Sequence, residues 1–351
     1  MRIAQIAPLT ESVPPALYGG TERVVHWLTE ALVDMGHEVT LFASGDSLTS
    51  AELEAQWPKA LRFDGTVRDP IALHMLMLES VARRAHKFDV LHFHLDYHPF
   101  SLFSRQNTPF LSTLHGRLDL PELQSVYAAF PNVPLVSISD AQRKPITHAN
   151  WVGTVHHGMP IDLLTPQPAQ PGYLAFLGRI APEKRVDRAI RIAVRCGLPL
   201  KIAAKVDRAD EEYFEREIKH MLDQPGVEFI GEIGDAQKSD FLSGAIALLT
   251  PIDWPEPFGL AMIEAMACGT PVIAFEGGSV VEIVEDGLTG FVVHDEAAAA
   301  EAVGRVSRIS RDNVRKRFEQ RFTSRRMAED YVDVYEQVTK TVQSHLRVAA
   351  V

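Results

Sequence analysis

The stretch Pro251-Ile-Asp-Trp-Pro-Glu-Pro-Phe-Gly-Leu-Ala-Met-Ile-Glu-Ala-Met-Ala-Cys-Gly-Thr-Pro-Val-Ile-Ala274 predicts an extended loop, then a helix, then a buried strand. Its prolines hold the loop extended, because each proline fixes φ and biases the residue before it away from helix. Gly259 permits close approach of the backbone to a ligand, and the run that begins at Leu260 is rich in helix-forming residues. Gly269 and Pro271 end this helix, and the apolar residues after them start the strand.

Two carboxylates bracket the start of this helix. Glu256 lies in the loop, and Glu264 follows eight residues later inside the helix. A helix N-terminus after a glycine-containing loop favours an anion, while carboxylates accept hydrogen bonds from sugar hydroxyls. The combination suits a ligand with both a diphosphate and sugars, such as a nucleotide sugar. The alternative for each glutamate is an ordinary solvated or helical side chain.

Composition limits the classes of function. The 351 residues suit two domains, and a hydrophobic content of 46% is enough for two cores. A net charge of −11 argues against nucleic acid and anionic membranes as general partners. The only cysteines, Cys196 and Cys268, are far apart in sequence and predict reduced thiols in the cytoplasm. No apolar run has the ~20 residues that a membrane-spanning helix needs, so no stable membrane insertion is expected.

The N-terminal residues predict a doubly wound α/β domain. A short apolar strand over 3–7 is followed by a loop, an amphipathic helix over 21–35 and a second strand over 39–43. Gly19 and Gly20 precede the helix, where they form either a plain turn or a ligand-binding loop. The missing Gly-x-Gly-x-x-Gly after the first strand weighs against a nicotinamide or flavin enzyme.

Histidines cluster where two later strands end. His92, His94 and Asp96 belong to a strand over 88–94 and the loop after it, and His115 follows a strand that begins at Pro109. The two-residue spacing allows a metal site, but ligand crevices of open α/β sheets lie at the carboxyl ends of strands. We therefore expect His92, His94 and Asp96 to line a polar ligand crevice, with no metal.

A proline-rich stretch over 163–172 separates residues 1–162 from a second α/β domain over 173–325, and a C-terminal helix covers 326–351. In the second domain a strand over 173–177 runs into a turn that contains Arg179 and Lys184. The two cations are either surface charges or a pair that binds a diphosphate.

The quoted stretch resembles the Glu-x7-Glu motif of the family 4 retaining glycosyltransferases, in the setting Pro-x-x-Trp-Pro-Glu-Pro-Phe-Gly. It is followed by further segments typical of that family, Glu276-Gly-Gly-Ser279 and Glu282-Ile-Val-Glu-Asp-Gly-Leu-Thr-Gly-Phe291. The resemblance runs from Ile3 to about Tyr331. It implies the GT-B architecture, in which two doubly wound, Rossmann-like domains face each other across a cleft and the last helix packs back on the first domain.

The resemblance also implies an activity. The enzyme would move a hexose from a nucleotide diphosphate sugar, with a UDP-sugar such as UDP-glucose favoured, to an acceptor hydroxyl with retention of configuration. The residues implied as catalytic are His115, Arg179, Lys184 and Glu256. The residues implied as donor-binding are Gly19, Gly20, Arg179, Lys184, Ile230, Ile233, Phe258, Gly259, Leu260 and Glu264. His92, His94 and Asp96 would lie on the acceptor side. The departing phosphate would take the acceptor proton, so no protein base, metal or other cofactor is expected.

Alternatives remain open at this point. A sugar-nucleotide epimerase or a phosphorylase has the same fold, and a non-catalytic nucleotide-sugar-binding protein would also show these motifs. Arg83, Arg84 and Lys87 form the only basic cluster of the first domain, which favours a water-soluble acceptor over a lipid. We expect a nucleotide-sugar donor as partner and no nucleic acid.

Overall fold

The computed structural model describes residues 1–16 and 19–349, with side chains only as far as Val342 in the last helix. The chain forms two compact units. The first comprises residues 1–159 and the C-terminal segment from Ser324, and the second comprises residues 160–323. The C-terminal segment therefore belongs to the same unit as the N-terminus.

The first unit is a parallel sheet with helices on both faces. Its strands within the described ranges are β1 (Arg2–Ile6), β2 (Glu38–Ser44), β3 (Glu52–Trp57), β4 (Val90–Phe93), β5 (Phe110–Thr113), β6 (Leu135–Ser137) and β7 (Trp151–Thr154). Its helices are α1 (Gly20–Asp34), α2 (Pro70–Arg84), α3 (Phe100–Phe103), α4 (Pro121–Ala129) and, from the C-terminus, α12 (Ser324–Ala349).

The strand order of this sheet is β3-β2-β1-β4-β5-β6-β7. The order reverses between β1 and β4, and ligands of open α/β sheets bind at such a point, beyond the carboxyl ends of the strands. The loops after β1, β4 and β5 therefore meet at one edge of the first unit. They carry the predicted glycines, His94, Asp96 and His115.

One face of this sheet is covered by α12, which packs on α1 and β7. Tyr331 and Tyr335 of α12 are fully buried there. On the other side, an aromatic cluster that includes Phe93, Phe100 and Phe103 fills the core. The buried strands need both coverings because parallel sheets are apolar on both faces.

The second unit repeats the same plan. Its strands are β8 (Tyr173–Ile180), β9 (Leu200–Val206), β10 (Val227–Gly231), β11 (Ala245–Thr250), β12 (Val272–Phe275) and β13 (Gly290–Val293). Its α-helical segments are α5 (Val186–Cys196), α6 (Glu211–Tyr213), α7 (Asp235–Ser243), α8 (Leu260–Ala267), α9 (Val280–Ile283), α10 (Glu296–Arg305) and α11 (Arg311–Arg321). The strand order is β10-β9-β8-β11-β12-β13, so the order reverses between β8 and β11.

The prediction of two doubly wound α/β domains is confirmed by these two parallel sheets. The predicted strand over 88–94 is shorter than expected, because a 3-10 turn over Ala85–Lys87 extends to the Phe88 amide, which bonds to the Ala85 carbonyl at 3.1 Å. No helix in the described part of the chain is both long enough and apolar enough to cross a bilayer.

Candidate active site

The loop over residues 251–259 leads from β11 into α8 at the point where the strand order of the second unit reverses. Gly259 has φ 87°, and a Cβ at this position would lie 2.5 Å from Cε of Met262 and 3.3 Å from Cγ of Glu256. Only glycine fits this turn without strain. The turn leaves the first amides of α8 without helical acceptors, which gives the end of the loop an affinity for anions.

A second glycine loop braces the first. Gly278 packs so closely on Glu256 that an added Cβ would lie 2.2 Å from its carbonyl oxygen. The Ser279 amide donates to the same carbonyl at 2.9 Å, and the Ser279 hydroxyl donates to the Phe258 carbonyl at 2.8 Å. The Glu-Gly-Gly-Ser segment therefore fixes the backbone around Glu256, which gives a physical reason for its glycines.

Glu256 and Lys184 form an ion pair across the reversal point. Lys184 Nζ donates to Glu256 Oε2, and Trp254 Nε1 donates to the same oxygen at 2.9 Å. Lys184 Nζ also lies 4.8 Å from the centroid of the Trp254 ring, a cation–π distance. The structure brings these two predicted residues together and adds Trp254, which holds both.

Arg179 lies near the carboxyl end of β8, which runs to Ile180 and not to residue 177 as predicted, so Arg179 belongs to the strand and Lys184 to the 3-10 turn that follows. Its Nη2 donates to Glu183 Oε1 at 2.6 Å, and its Nε lies 3.5 Å from Asp210 Oδ2. Burial raises the pKa of Asp210, and the nearby Arg179 charge opposes this shift. Two carboxylates therefore hold the guanidinium in place, and an incoming phosphate has to compete with them for it. Neither of these partners was predicted from the sequence.

Glu264 lies in the second turn of α8 and is only 5% exposed. Lys238 of α7, itself 8% exposed, donates to Glu264 Oε1 at 2.6 Å and lies 3.2 Å from Asp235 Oδ1. Buried charges are stable only when they are paired and hydrogen-bonded. Lys238 therefore fixes the carboxylate of Glu264. Lys238 was not predicted from the sequence, because it lies in a polar helix without a motif of its own.

Two of the predicted donor-binding residues, Ile230 and Ile233, lie at or just after the carboxyl end of β10. Ile230 is 36% exposed at the edge of the sheet, and Gly231 ends the strand with φ 77°. Ile233 follows in the loop and is half-buried. An exposed apolar residue beside a turn is a suitable surface for a planar base.

The predicted glycine loop of the first unit precedes α1. Gly19 packs on Pro15, where an added Cβ would lie 2.7 Å from Cβ of that proline. Gly20 is the first residue of α1, which has no side-chain cap. Tyr18, which directly precedes these glycines in the sequence, lies outside the described residues.

His92, His94 and His115 are linked by hydrogen bonds inside the first unit. His94 Nδ1 lies 2.9 Å from His115 Nε2, and His94 Nε2 lies 2.8 Å from Gln5 Oε1. Burial lowers the pKa of His115 to about 3 and holds the pKa values of His92 and His94 well below their usual range. All three imidazoles are therefore neutral at physiological pH.

The prediction that His92 and His94 line an acceptor crevice needs correction. His94 is only 3% exposed, and its two ring nitrogens contact His115 and Gln5. His92 has no exposed surface, its Nδ1 lies 2.8 Å from Tyr335 Oη, and its Nε2 lies 2.7 Å from Thr113 Oγ1. The two-residue spacing did place His92 on one sheet face with His94, but α12 covers that face. Both ring nitrogens are satisfied inside the protein, so His92 is a residue of the polar interior.

Asp96 remains at the surface after β4. It is exposed and adopts φ 47°, a left-handed conformation that aspartate tolerates better than most residues. Its carbonyl accepts a hydrogen bond from the Ser112 hydroxyl at 3.2 Å.

Among the residues that the structure describes, no group of three or more His, Cys, Asp or Glu side chains is arranged to hold a metal ion.

Two family models match the chain. The model described as Glycosyltransferase Family 4 matches residues 18–155, and the model described as Glycosyl transferases group 1 matches residues 165–325. Together the two models account for most of both units.

Individual proteins are similar over nearly the whole chain. The phosphatidyl-myo-inositol mannosyltransferase of Mycobacterium leprae is 27% identical over 350 residues, which cover 91% of this chain and 90% of that protein. The sucrose-phosphate synthase of Thermosynechococcus elongatus has a TM-score of 0.79 at 22% identity, covering 97% of this chain and 99% of that one. Anabaena HepE, solved with UDP-glucose, has a TM-score of 0.71 at 18% identity, covering 98% and 100%. These structural likenesses confirm the predicted GT-B fold.

Proposed function

We propose a reaction for this chain, which belongs to the family 4 glycosyltransferases and is a hexosyltransferase. In the proposed reaction it moves a hexose from a UDP-sugar to an acceptor hydroxyl, with retention of configuration. The observation that carries the proposal is the cluster of Lys184, Glu256 and Trp254 beside the N-terminus of α8. A cation and helix amides bind a diphosphate, and a carboxylate accepts hydrogen bonds from the hydroxyls of the attached sugar.

The charge that develops on the leaving diphosphate is stabilised by Arg179, Lys184 and the backbone amides at Phe258, Gly259 and Leu260. Preorganised donors of this kind act most strongly when they point at the position where charge develops. Arg179 is held by two carboxylates and Lys184 by one. Their positions are therefore fixed before the donor arrives.

The two glutamates have separate roles in this proposal. Glu256 binds hydroxyls of the transferred sugar, and Glu264 binds the ribose hydroxyls. The support for Glu264 is its orientation by Lys238, which contacts Oε1, while Oε2 has no hydrogen-bond partner among the described residues and can accept from a ligand. Ile230 and Ile233 would contact the base.

We propose UDP-glucose because Anabaena HepE, which has the same fold, was solved with that donor. The mannosyltransferase relative shows that related chains also transfer mannose. That relative acts on phosphatidyl-myo-inositol, whereas we propose a water-soluble acceptor here. The first unit would contact the acceptor through Asp96, and His115 would contact the donor sugar.

A panel of nucleotide sugars, scored for slow donor hydrolysis, tests the proposal. UDP-glucose is expected to be hydrolysed fastest, because water replaces the missing acceptor. NMR of the first sugar released should show the anomeric configuration of the donor, since retention is expected. Inversion, or preference for a GDP- or ADP-sugar, would contradict the corresponding part of the proposal.

A further inference from the structure

A continuous chain of hydrogen bonds joins α12 to His115 within the first unit. Gln5 of β1 is fully buried, and its Nε2 donates to Tyr335 Oη at 3.0 Å. The other end of the same amide, Oε1, lies 2.8 Å from His94 Nε2. His94 in turn contacts His115, so the tyrosine of the last helix is connected to the predicted donor-sugar ligand through two side chains.

The direction of the chain follows from the chemistry of each atom. An amide oxygen can only accept a hydrogen bond, so His94 Nε2 carries a proton and donates to Gln5. The buried His94 is neutral, which makes its Nδ1 an acceptor. His115 Nε2 must then carry a proton and donate to it across 2.9 Å.

The consequence appears at the far nitrogen of His115. Because this imidazole is also neutral, its Nδ1 has a lone pair and no proton. Within the part of the chain that the structure describes, this buried Nδ1 has no hydrogen-bond partner. His115 follows β5 at the edge of the sheet where a ligand is expected, so a buried nitrogen without a partner at this position points to a missing ligand atom.

We propose that Tyr335 and Gln5 are positioning residues, which act through His94 to make His115 Nδ1 a hydrogen-bond acceptor for a hydroxyl of the ligand. The ligand is then a neutral sugar that donates a hydroxyl at this point, and a carboxylate there is rejected. The inference deepens the proposed function and rests on it for the identity of the ligand as a donor sugar.

The other contacts of this cluster keep the rings in place. The Tyr335 hydroxyl accepts a hydrogen bond from Gln5 and donates its own proton to His92 Nδ1, 2.8 Å away. The His157 ring stacks on His115 with a centroid distance of 5.2 Å and an interplanar angle of 19°. Neither ring of His115 and His94 can turn over without breaking these contacts, so one tautomer is kept.

Nitrogen-15 NMR of histidine-labelled protein reads the tautomer directly, because protonated and unprotonated ring nitrogens have different shifts. We expect Nε2 protonated and Nδ1 unprotonated at both His94 and His115, with signals assigned from His94→Gln and His115→Gln variants. Adding nucleotide sugar should move the His115 Nδ1 signal, whereas the nucleotide diphosphate alone should leave it in place. A protonated Nδ1 at His115, or an equal response to both ligands, would overturn the proposal.

Tyr335→Phe tests the positioning role, since it removes one hydroxyl and keeps the ring. We expect mixed tautomers at His115 and a rise of about fivefold to tenfold in KM for the nucleotide sugar, with unchanged affinity for the nucleotide diphosphate. Gln5→Leu is the second variant and should have the same effect. Tyr127→Phe is the matched control, because it removes a buried hydroxyl of the same unit that has no partner among the described residues.

Unchanged spectra in both Tyr335→Phe and Gln5→Leu, with folding verified by thermal unfolding, would overturn the positioning role. Equal changes in the Tyr127→Phe control would do the same, because the effect would then be general loosening of the core. Absence of donor turnover in the wild type would count against the proposed function alone, since the spectra of the unliganded protein decide the tautomer without substrate.

Discussion

Lys184 and Glu256 are 72 residues apart in sequence and form an ion pair at the reversal point of the second sheet. Lys184 belongs to the turn after β8, and Glu256 to the loop after β11. Those two strands are neighbours, so their following loops meet. The pair brings the predicted phosphate-binding and sugar-binding groups into direct contact before any ligand is bound.

Loss of the charge of Lys184 or of Arg179 should reduce catalysis far more than it disturbs folding. Lys184→Ala is expected to lower kcat/KM by about two to three orders of magnitude, since one preorganised contact to a developing anion is lost. Arg179→Ala should behave similarly. The matched control is Lys201→Ala. Lys201 also lies 4.8 Å from an aromatic centroid and 3.4 Å from a carboxylate, but it is at the amino end of β9, away from the strand ends that carry the site. Steady-state kinetics with the best donor decide; near-normal rates in either site variant would refute its phosphate contact.

Substitution of Glu256 and of Glu264 should weaken the binding of different ligands. Glu264→Gln is expected to weaken binding of the nucleotide diphosphate, because ribose contacts exist with or without the sugar. Glu256→Gln should bind the nucleotide diphosphate normally but lose affinity for the nucleotide sugar. Calorimetric titration with both ligands distinguishes the roles, and the reverse pattern would show that they are exchanged.

Lys238 should be required for the function of Glu264. Lys238→Met leaves a buried carboxylate unpaired, so we expect stability to fall by about 3–5 kcal/mol and nucleotide affinity to fall with it. The double variant with Glu264→Gln removes both charges and should regain stability but not affinity. Denaturant unfolding and calorimetry measure the two quantities. Full nucleotide affinity in the Lys238→Met variant would exclude the positioning role of Lys238.

Catalysis is expected to be independent of divalent metal. Arg179 and Lys184 supply the positive charge that a metal would otherwise provide to the diphosphate. Activity should therefore survive EDTA at its normal rate. If activity disappears and returns with Mg²⁺ or Mn²⁺, a metal site is present and the assignment of the two cations is incomplete.

The acceptor proposal can be tested with vesicles. Helix α2 exposes Ile71 and Leu76, at 63% and 66%, but the cations of its last turn are paired, Arg83 with Glu79 and Arg84 with Glu54. Paired cations attract an anionic leaflet weakly, so we expect little flotation with anionic vesicles at physiological salt. Leu76→Ser serves as the control. Strong flotation of the wild type that is lost in Leu76→Ser would replace the water-soluble acceptor with a lipid.

Much of the fold is encoded locally. The alternation of short apolar strands with amphipathic helices predicts parallel sheets, because each helix must return the chain to the same edge. The prolines before Gly259 and the glycine after the next helix predict the loop, α8 and β12 for similar reasons of backbone geometry. Arg179, Lys184 and Glu256 were recognisable because they lie at or after the ends of strands in motifs of fixed spacing.

The partners of these residues were not predictable from spacing. Lys238 meets Glu264 because α7 and α8 pack side by side, and Gln5 meets Tyr335 across 330 residues because α12 returns to the first unit. His92 was assigned to a crevice because nothing in its strand indicates which face the last helix covers. Local propensity and motif spacing specify elements and loops, whereas hydrogen-bond partners and burial depend on which elements become neighbours in the folded chain.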